Sequence, residues 1–334
     1  MEKTIRTGEI ITYKNDSRKN SLVSMSRHWS FSYAFKYLVT LALDPIYKLI
    51  FRFFPKKPRE TKYGLVLCAI FKNEAPYLKE WIEYHSLVGV EHFYLYNNNS
   101  TDHFREVLQP YVDNGTVTLT EWPETPGQIT AYKHWYENFR GETTWCSFLD
   151  LDEFFVPYEH TNLQDWLQRF KNYPLVLVYW KMFGTSGRLE HDENQLQIEQ
   201  YTNCWEDLTR RGKLFYNTNY DIGYFKVDMM HYFLCRHGRL KVPPINQFGK
   251  FVLWEVHRMK KKADIQCNHY WSRAYGNYEK KHQRGSACWG KSWKTFDKFL
   301  QYERQNTSSD HKIHRFLVEL KLKMTGRYPG NNAD

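Results

Sequence analysis

Phe148-Leu149-Asp150-Leu151-Asp152-Glu153-Phe154-Phe155-Val156-Pro157, FLDLDEFFVP, sets three carboxylates in four positions within a segment that otherwise reads as a buried β-strand. An unpaired buried carboxylate is costly enough that its pKa shifts until it is neutral. Three together demand a counter-charge: a metal ion, basic side chains or water. On an extended backbone side chains alternate in direction, so Asp150 and Asp152 would share one face and Glu153 the other. Two carboxylates on one face, with a diphosphate as third partner, suit Mg²⁺ or Mn²⁺. Glu153 would then hold a nearby backbone or basic group. The alternative is a solvated turn after a strand, since D-x-D alone is a common pattern. No Gly and Glu follow at EF-hand spacing, which excludes that calcium loop.

Upstream of this stretch, strand and helix patterns alternate. Tyr63 to Ile70 is a continuous apolar run of buried-strand length. In Tyr77 to His85, Leu78, Trp81, Ile82 and His85 mark one helical face, and Gly89 closes the segment. His92 to Tyr96 is a second strand, stopped by Asn97-Asn98-Asn99-Ser100-Thr101-Asp102. A helix from Phe104 to Tyr111, a strand from Val117 to Thr120, a helix from Ala131 to Phe139 and a strand from Thr144 to Leu149 lead into the acids. Such repeats predict an α/β fold with a mostly parallel central sheet flanked by helices. Ligands in these sheets bind beyond the carboxyl ends of the strands. Asn73/Glu74, Asn97 to Asp102 and Asp150 to Glu153 all follow strands, so one crevice is expected to collect them.

The chain has 334 residues, 42% hydrophobic and 18% aromatic, enough for one large domain or two smaller ones. Residues 1–60 hold twelve Lys/Arg against five Asp/Glu, seven of the ten excess positive charges of the chain. A basic arm of this kind suits an anionic surface. Its most apolar part, Tyr37 to Phe54, is interrupted by Asp44-Pro45 and carries Lys48 and Arg52. A spanning helix needs about 20 apolar residues without such breaks. The segment therefore reads as two short amphipathic pieces, closed by Pro55-Lys56-Lys57-Pro58-Arg59. They would either lie in a membrane interface or pack on the body of the protein. The expected divisions are a basic N-terminal amphipathic helical arm (1–60), an α/β domain (61–300) and a helical tail (301–334). The N-terminus lacks the pattern of a cleavable signal. None of the six cysteines forms a CxxC, which excludes a zinc or disulfide framework and suits a reducing compartment. The expected location is cytoplasmic, peripheral on the inner face of a membrane.

Three blocks carry a resemblance to a known family. KNEAPYLKEWIEYHSLVGVEHFYLYNNNSTD (72–102), FLDLDEFFVP (148–157) and NHYWSRAYGNYEKKHQRG (268–285) resemble glycosyltransferases of the GT-A fold, in particular family 92 and its bacterial family 2-like relatives. The resemblance implies a GT-A (Rossmann-like) domain over 61–300. It implies transfer of a sugar from a nucleoside diphosphate-sugar, most readily a UDP-sugar, to a glycan or lipid-linked glycan acceptor, as in cell-surface polysaccharide synthesis. It also implies that Asp150 and Asp152 bind Mn²⁺ or Mg²⁺ on the donor diphosphate. The late block, His269-Tyr270 followed by Lys281 and Arg284-Gly285, matches the family's His-Tyr and Lys-x-x-Arg-Gly pattern. Two positions depart from it. The family's strand-two end is usually Asp-containing, and here it is Asn97-Asn98-Asn99-Ser100-Thr101-Asp102. Arg273 stands where a lysine is expected, and the two are not interchangeable at a bidentate site.

The chemistry of a nucleotide-sugar donor assigns roles to these positions. Asn73 and Glu74 are placed to hydrogen-bond base or ribose, and Asn97 and Asp102 to hold ribose hydroxyls. Asp150 and Asp152 would hold metal, with His269 as a third ligand through a neutral imidazole, or else as a buried structural histidine. Lys281 and Arg284, three apart on one helical face, could stabilise the departing nucleoside diphosphate or form a solvated basic face. Trp180 to Gly187 (WKMFGTSG) resembles the family's W-x-x-F-G-x-S-G turn, in which Gly184 and Gly187 would let backbone approach a ligand. Gln128 and Tyr132 are further donor-site candidates. Glu190, Asp192 and Asp228 are candidates for the base that an inverting transfer requires. Two competing functions are a non-enzymatic nucleic-acid-binding protein and a nucleotidyltransferase. The first is disfavoured because the positive charge sits apart from the aromatics and no RNA-module motif occurs, so no nucleic-acid partner is expected. The second lacks an N-terminal Gly-rich phosphate loop.

Overall fold

The computed structural model describes residues 31–53, 56, 59–221, 235–237, 240–254, 256–260, 262–285 and 295–328; residues 1–30 of the basic arm, Asp228 and Cys288 lie outside these. Nine of the described strands form the central sheet: β1 (Tyr63–Phe71), β2 (His92–Asn97), β3 (Val117–Glu121), β4 (Thr143–Phe148), β5 (Glu153–Pro157), β6 (Leu175–Met182), β7 (Gly212–Asn217), β8 (Ile245–Asn246) and β9 (Ile265–His269). Their order is β3-β2-β1-β4-β7-β6-β9-β5, with β8 also paired to β6. The pairs β1–β2, β2–β3, β1–β4, β6–β9 and β6–β8 are parallel. β7 lies antiparallel between β4 and β6, and β5 antiparallel to β9. The sheet is thus mostly parallel, as the strand–helix alternation requires.

The helices are α1 (Phe31–Phe53), α2 (Ala75–Leu87), α3 (Phe104–Asp113), α4 (Gln128–Asn138), α5 (Leu163–Gln168), α6 (Gln197–Gln200), α7 (Tyr275–Arg284), α8 (Phe296–Glu303) and α9 (Leu317–Met324). β1 shows why its apolar run has no polar positions. Leu65, Leu67, Ala69 and Phe71 pack with Leu78, Trp81 and Ile82 of α2, while Val66, Cys68 and Ile70 pack with Ala131, Tyr132 and Trp135 of α4. Both faces of the strand are covered, so both parities must be apolar. Phe316 and Leu320 join the first of these clusters, and Lys79 Nζ donates to the Met324 carbonyl at 3.0 Å.

Two expectations are corrected. The apolar arm segment is one helix of 23 residues that runs through Pro45, not two pieces. Asp44 is buried and bound by Arg258 at 2.5 Å and Lys48 at 2.9 Å, and it accepts from the Phe251 amide at 3.2 Å. This side chain pins the Asp-Pro step to the body. The intrahelical bond that Pro45 cannot make would have gone to exposed Leu41, where water can satisfy the carbonyl. Second, FLDLDEFFVP is not one extended strand. β4 stops at Phe148, a turn closes with the Glu153 amide donating to the Asp150 carbonyl at 3.0 Å, and β5 departs to the edge of the sheet. Asp150 and Asp152 therefore sit on a turn, and the alternation of an extended backbone does not govern where they point.

Candidate active site

The acid turn leaves the carboxyl end of β4 in the middle of the sheet, and each of its acids meets a different cation. Lys213 on β7 is buried and lies 2.9 Å from Asp150 Oδ2 and 3.0 Å from Glu153 Oε2. Glu153 is buried as well, and its Oε2 also accepts from the Asp150 amide at 2.9 Å, so it ties the turn to β7. Burial pushes its carboxyl up to about 8, against the pull of Lys213. Gln128, at the start of α4, donates to Asp150 Oδ1 at 3.2 Å. Asp152 meets Lys281 of α7 at 2.5 Å. Burial alone would raise its pKa, but the charges of Lys281, His269 and Arg273 more than offset this and hold it well below the usual carboxylate range.

His269 ends β9, opposite Glu153 in the antiparallel register, and the next residue's amide donates to the Asp152 carbonyl at 2.8 Å. That pairing carries the imidazole to the acid turn. Its Nε2 lies 3.8 Å from Asp152 Oδ1, and its Nδ1 3.9 Å from Glu153 Oε1. Beside the turn, α7 and the loop after β1 enclose a cleft of about 400 Å³. Five cations line it, Lys72, Arg273, Lys280, Lys281 and Arg284, against one carboxylate, Glu74. Glu74 receives Arg273 at 2.5 Å and Arg284 at 3.1 Å, and although burial opposes it, these cations and Lys281 hold its pKa low. With its acid already neutralised by two guanidiniums, the cleft suits a multiply charged anion.

Residues 63–315 match the model of Glycosyltransferase family 92. The chain belongs to glycosyltransferase family 92. A family 92 protein of Ricinus communis is 31% identical over 212 residues, 60% of this chain and 38% of that protein. One from Oryza sativa subsp. japonica is 32% identical over 213 residues, 60% of this chain and 36% of its own. The beta-1,4-galactosyltransferase galt-1 of Caenorhabditis elegans is 31% identical over 114 residues, 30% of this chain and 27% of that protein. The matched part of the chain spans less than two fifths of these curated relatives. Among solved structures, S. aureus TarS aligns over 46% of this chain and 47% of its own, with a TM-score of 0.33 and 14% identity.

Within this family 92 domain, the positions expected to contact the donor separate into two groups. Asp150, Asp152, His269 and Gln128 gather at the acid turn, while Asn73, Glu74, Lys281 and Arg284 line the cleft. Asn97 does not reach the cleft: it donates to Glu121 at 2.6 Å and accepts from the Ser100 amide at 2.9 Å, tying β2 to β3. Asp102 uses Oδ2 to accept from the Ala75 amide at 2.8 Å at the start of α2, and its Oδ1 is buried without a hydrogen-bond partner. Gly184 serves packing. A Cβ there would stand 1.8 Å from Asn306 Nδ2 and 2.6 Å from Glu303 Oε2. Gly187 has φ +80 with open space beside it, so glycine is needed there for the turn itself. Neither Glu190 nor Asp192 lines the cleft. Glu190 is exposed over Gly276 of α7, whereas Asp192 accepts from the Asn194 amide at 2.9 Å in a turn of its own.

Two residues of the site escaped sequence reasoning. Lys213 looks like an ordinary strand-edge lysine in GKLFYN; the available signal is a lysine that leads directly into the apolar run Leu214-Phe215-Tyr216. Arg273 was visible only as a departure from a family pattern. It is fully buried with φ +52, stacks over the Tyr77 ring at 3.4 Å, and donates to Glu74, to Gln197 Oε1 at 3.1 Å and to the Leu151 carbonyl at 3.0 Å. It braces the acid turn from behind, a role that needs the several donors of a guanidinium.

The donor set fits a divalent ion in part. Mn²⁺ or Mg²⁺ binds oxygen and nitrogen at about 2.1 Å, so two ligands of one ion can stand 3 to 4 Å apart by rough geometry. Asp152 Oδ1 and His269 Nε2, at 3.8 Å, meet that. Asp150 is committed to Lys213 and Gln128, so the expectation of two aspartate ligands on one face does not describe it. Among the described residues no cluster of three or more His, Cys, Asp or Glu forms a complete cage. The remaining ligands of an ion would have to come from phosphate oxygens and water.

Proposed function

We propose that this family 92 chain transfers a hexosyl group from a nucleoside diphosphate-sugar, most readily a UDP-sugar, to a glycan or lipid-linked glycan acceptor with the help of Mn²⁺ or Mg²⁺. One observation carries the proposal: the ionised Asp152 stands between Lys281 and His269, beside a cleft lined by five cations. A cation-lined cleft matches a diphosphate better than a neutral sugar or a cationic ligand. An ion held by Asp152 and His269 would supply further positive charge to that diphosphate.

The chain's own groups have distinct parts in this reading. Lys281, Lys280, Lys72 and Arg284 hold the diphosphate and offset the charge that develops as it leaves. Glu74, paired with two arginines, positions those guanidiniums rather than reading base or ribose. Asp102, buried at Oδ1, fixes the start of α2 behind the cleft through the Ala75 amide. Asp150 orients Gln128 and Lys213 at the end of β4.

The test is release of nucleoside diphosphate from a panel of UDP- and GDP-sugars with Mn²⁺, with and without EDTA. UDP-galactose is the first donor to try, since the C. elegans relative is named a galactosyltransferase. Release from one donor, abolished by EDTA, is the expected result. Release that EDTA leaves untouched would remove the metal from the scheme. Failure of UDP with Mn²⁺ to bind the wild-type protein in a calorimeter would remove the donor.

A further inference from the structure

α1 has two opposite faces, and only one is accounted for by the fold. Thr40, Asp44, Tyr47 and Phe51 turn inward: Asp44 is bound by Arg258, Tyr47 packs on Phe251 at 4.6 Å between ring centroids, and Phe51 stacks on Phe251 at 5.4 Å. Phe31, Phe35, Leu38, Ile46, Leu49 and Phe53 are each more than half exposed. At 3.6 residues per turn these six fall within about 80° of the helix circumference, diametrically opposite the buried face. The pattern is a continuous apolar stripe along the whole helix. Stray exposed hydrophobics need no explanation, but a stripe of this length does.

The surroundings say what would cover it. Lys36 and Lys48 lie at the sides of the helix, Lys36 exposed and Lys48 half-buried. The loop that receives α1 adds Lys250 and Lys260, and burial together with Lys48, Arg258 and Lys260 lowers the Lys250 pKa, which places these cations within range of one another. Among the described residues, the carboxylate that pairs with Lys48, Lys250 and Arg258 is buried Asp44. Trp254, in the same loop between Phe251 and Arg258, is more than half exposed. Residues 1–30, ahead of the helix, carry six further Lys/Arg against three Asp/Glu. A second copy of the chain docking by this face would bring like-charged rims together. An anionic lipid surface meets both the stripe and the rim, with tryptophan at the headgroup level. No described helix is long and apolar enough to cross a membrane, so α1 would lie along the surface.

We propose that the outer face of α1 docks in the headgroup region of an anionic lipid bilayer and holds the family 92 domain on that surface. The inference stands on α1 alone and does not depend on the donor or the metal.

The experiment is co-sedimentation of the full chain with phosphatidylcholine vesicles and with vesicles that also contain phosphatidylglycerol. The wild type is expected to sediment with the anionic vesicles, more weakly with the neutral ones, and less as salt is added. Phe35→Ser with Leu49→Ser should lower binding about a hundredfold, since each apolar side chain withheld from the interface removes roughly a tenfold factor. Its circular dichroism and thermal melt should be unchanged, because neither side chain packs on the body. Wild type left in the supernatant with both vesicle types, or a double variant that binds as well as wild type, would overturn the docking. Equal binding to neutral and anionic vesicles would overturn the charge preference. A dimer in light scattering that the double variant dissolves, with no vesicle binding, would assign the face to a second copy.

Discussion

Two polar clusters follow strands of the same parallel sheet, and they behave in opposite ways. After β2, Asn97 is bound to Glu121 and the Ser100 amide, Asn98 donates to the carbonyls of Trp122 and Glu124 at 2.7 Å each, and Asn99 donates to the Pro123 carbonyl at 3.0 Å. Asn73 closes the set by accepting from the Thr101 amide at 2.7 Å. Nearly every polar group there is spent on neighbouring backbone, as short Asn and Ser side chains readily do. After β4, by contrast, the acids draw their partners from distant elements, Lys213 on β7 and Lys281 on α7. Burying whole charges against each other is costly unless geometry is good, and such clusters concentrate at functional sites. A polar cluster at a strand end is therefore either a brace or a site, and the origin of its partners tells which.

The largest effect should come from Asp152→Asn. The amide keeps the shape and removes the charge that faces Lys281 and His269. Turnover is expected to fall about a thousandfold, the upper range for losing one electrostatic group, with the fold intact by circular dichroism. An Asp152→Asn protein of near wild-type activity would erase the distinction between the two clusters. Lys281→Met comes next. It leaves the Asp152 carboxylate without its closest cation and removes one charge from the cleft, so kcat/KM should fall about a hundredfold. Lys280→Met, on the same cleft but without a carboxylate partner in the site, should cost only a few-fold, seen mainly in KM. Equal losses in the two variants would mean that the Lys281–Asp152 pair has no special place.

A buried carboxylate outside the site sharpens the contrast. Glu80 on α2 accepts from the amides of Gln197 at 2.9 Å and Ile198 at 3.0 Å. Burial dominates there, despite those two bonds, and its carboxyl is pushed up to about 7 from the ordinary 4.5. Asp152, equally enclosed but faced by an ammonium, moves the other way. The sign for Glu80 follows from proton counting. Below pH 4.5 it is protonated in both folded and unfolded chains. Between 4.5 and 7 the unfolded chain releases the proton while the folded one retains it, so stability declines as pH rises through that window and levels off above it. The decline is on the order of 3 kcal/mol. Glu153 titrates over an overlapping range, so the readout is a difference: from pH 4.5 to 8 wild type should lose this much stability relative to Glu80→Gln, measured by thermal melts. An unchanged slope in the variant would place the titration elsewhere.

Much of this fold is legible in the sequence because it is local. β1 to β4 and the helices between them are bounded apolar runs and helical faces, and each is covered on the side its pattern indicates. Lys281, Arg284 and His269 were legible as motif positions. What local pattern could not supply is where distant elements insert. β7 enters antiparallel between β4 and β6, and only that insertion turns Lys213 from a strand lysine into the partner of Asp150 and Glu153. The acid stretch misled for a related reason: its flanks have strand composition, but the chain must turn at Leu149 to Asp152 because β5 belongs to the edge of the sheet. Arg273 is the same case again. Its position shows as a sequence departure, and its function only once Glu74, Gln197 and the Leu151 carbonyl surround it.

Asn97→Ala should have the smallest catalytic effect and decides whether the β2 cluster is a brace. The substitution removes a donor to Glu121 and an acceptor for the Ser100 amide at a buried position. A buried hydrogen-bonding group of this kind is worth about 1 to 2 kcal/mol, so the melting temperature should fall by a few degrees. If the cluster only braces, kcat/KM below that temperature should stay within a few-fold of wild type, because Asn97 lies away from the cleft. Asp102→Asn in parallel supplies the internal control: it can keep the bond to the Ala75 amide through its carbonyl oxygen and changes the oxygen that has no partner. A selective rise in KM for the nucleotide-sugar in Asp102→Asn, without one in Asn97→Ala, would show that the start of α2 sets donor affinity from behind the cleft. A rise in both would make the whole β2 loop part of the donor site.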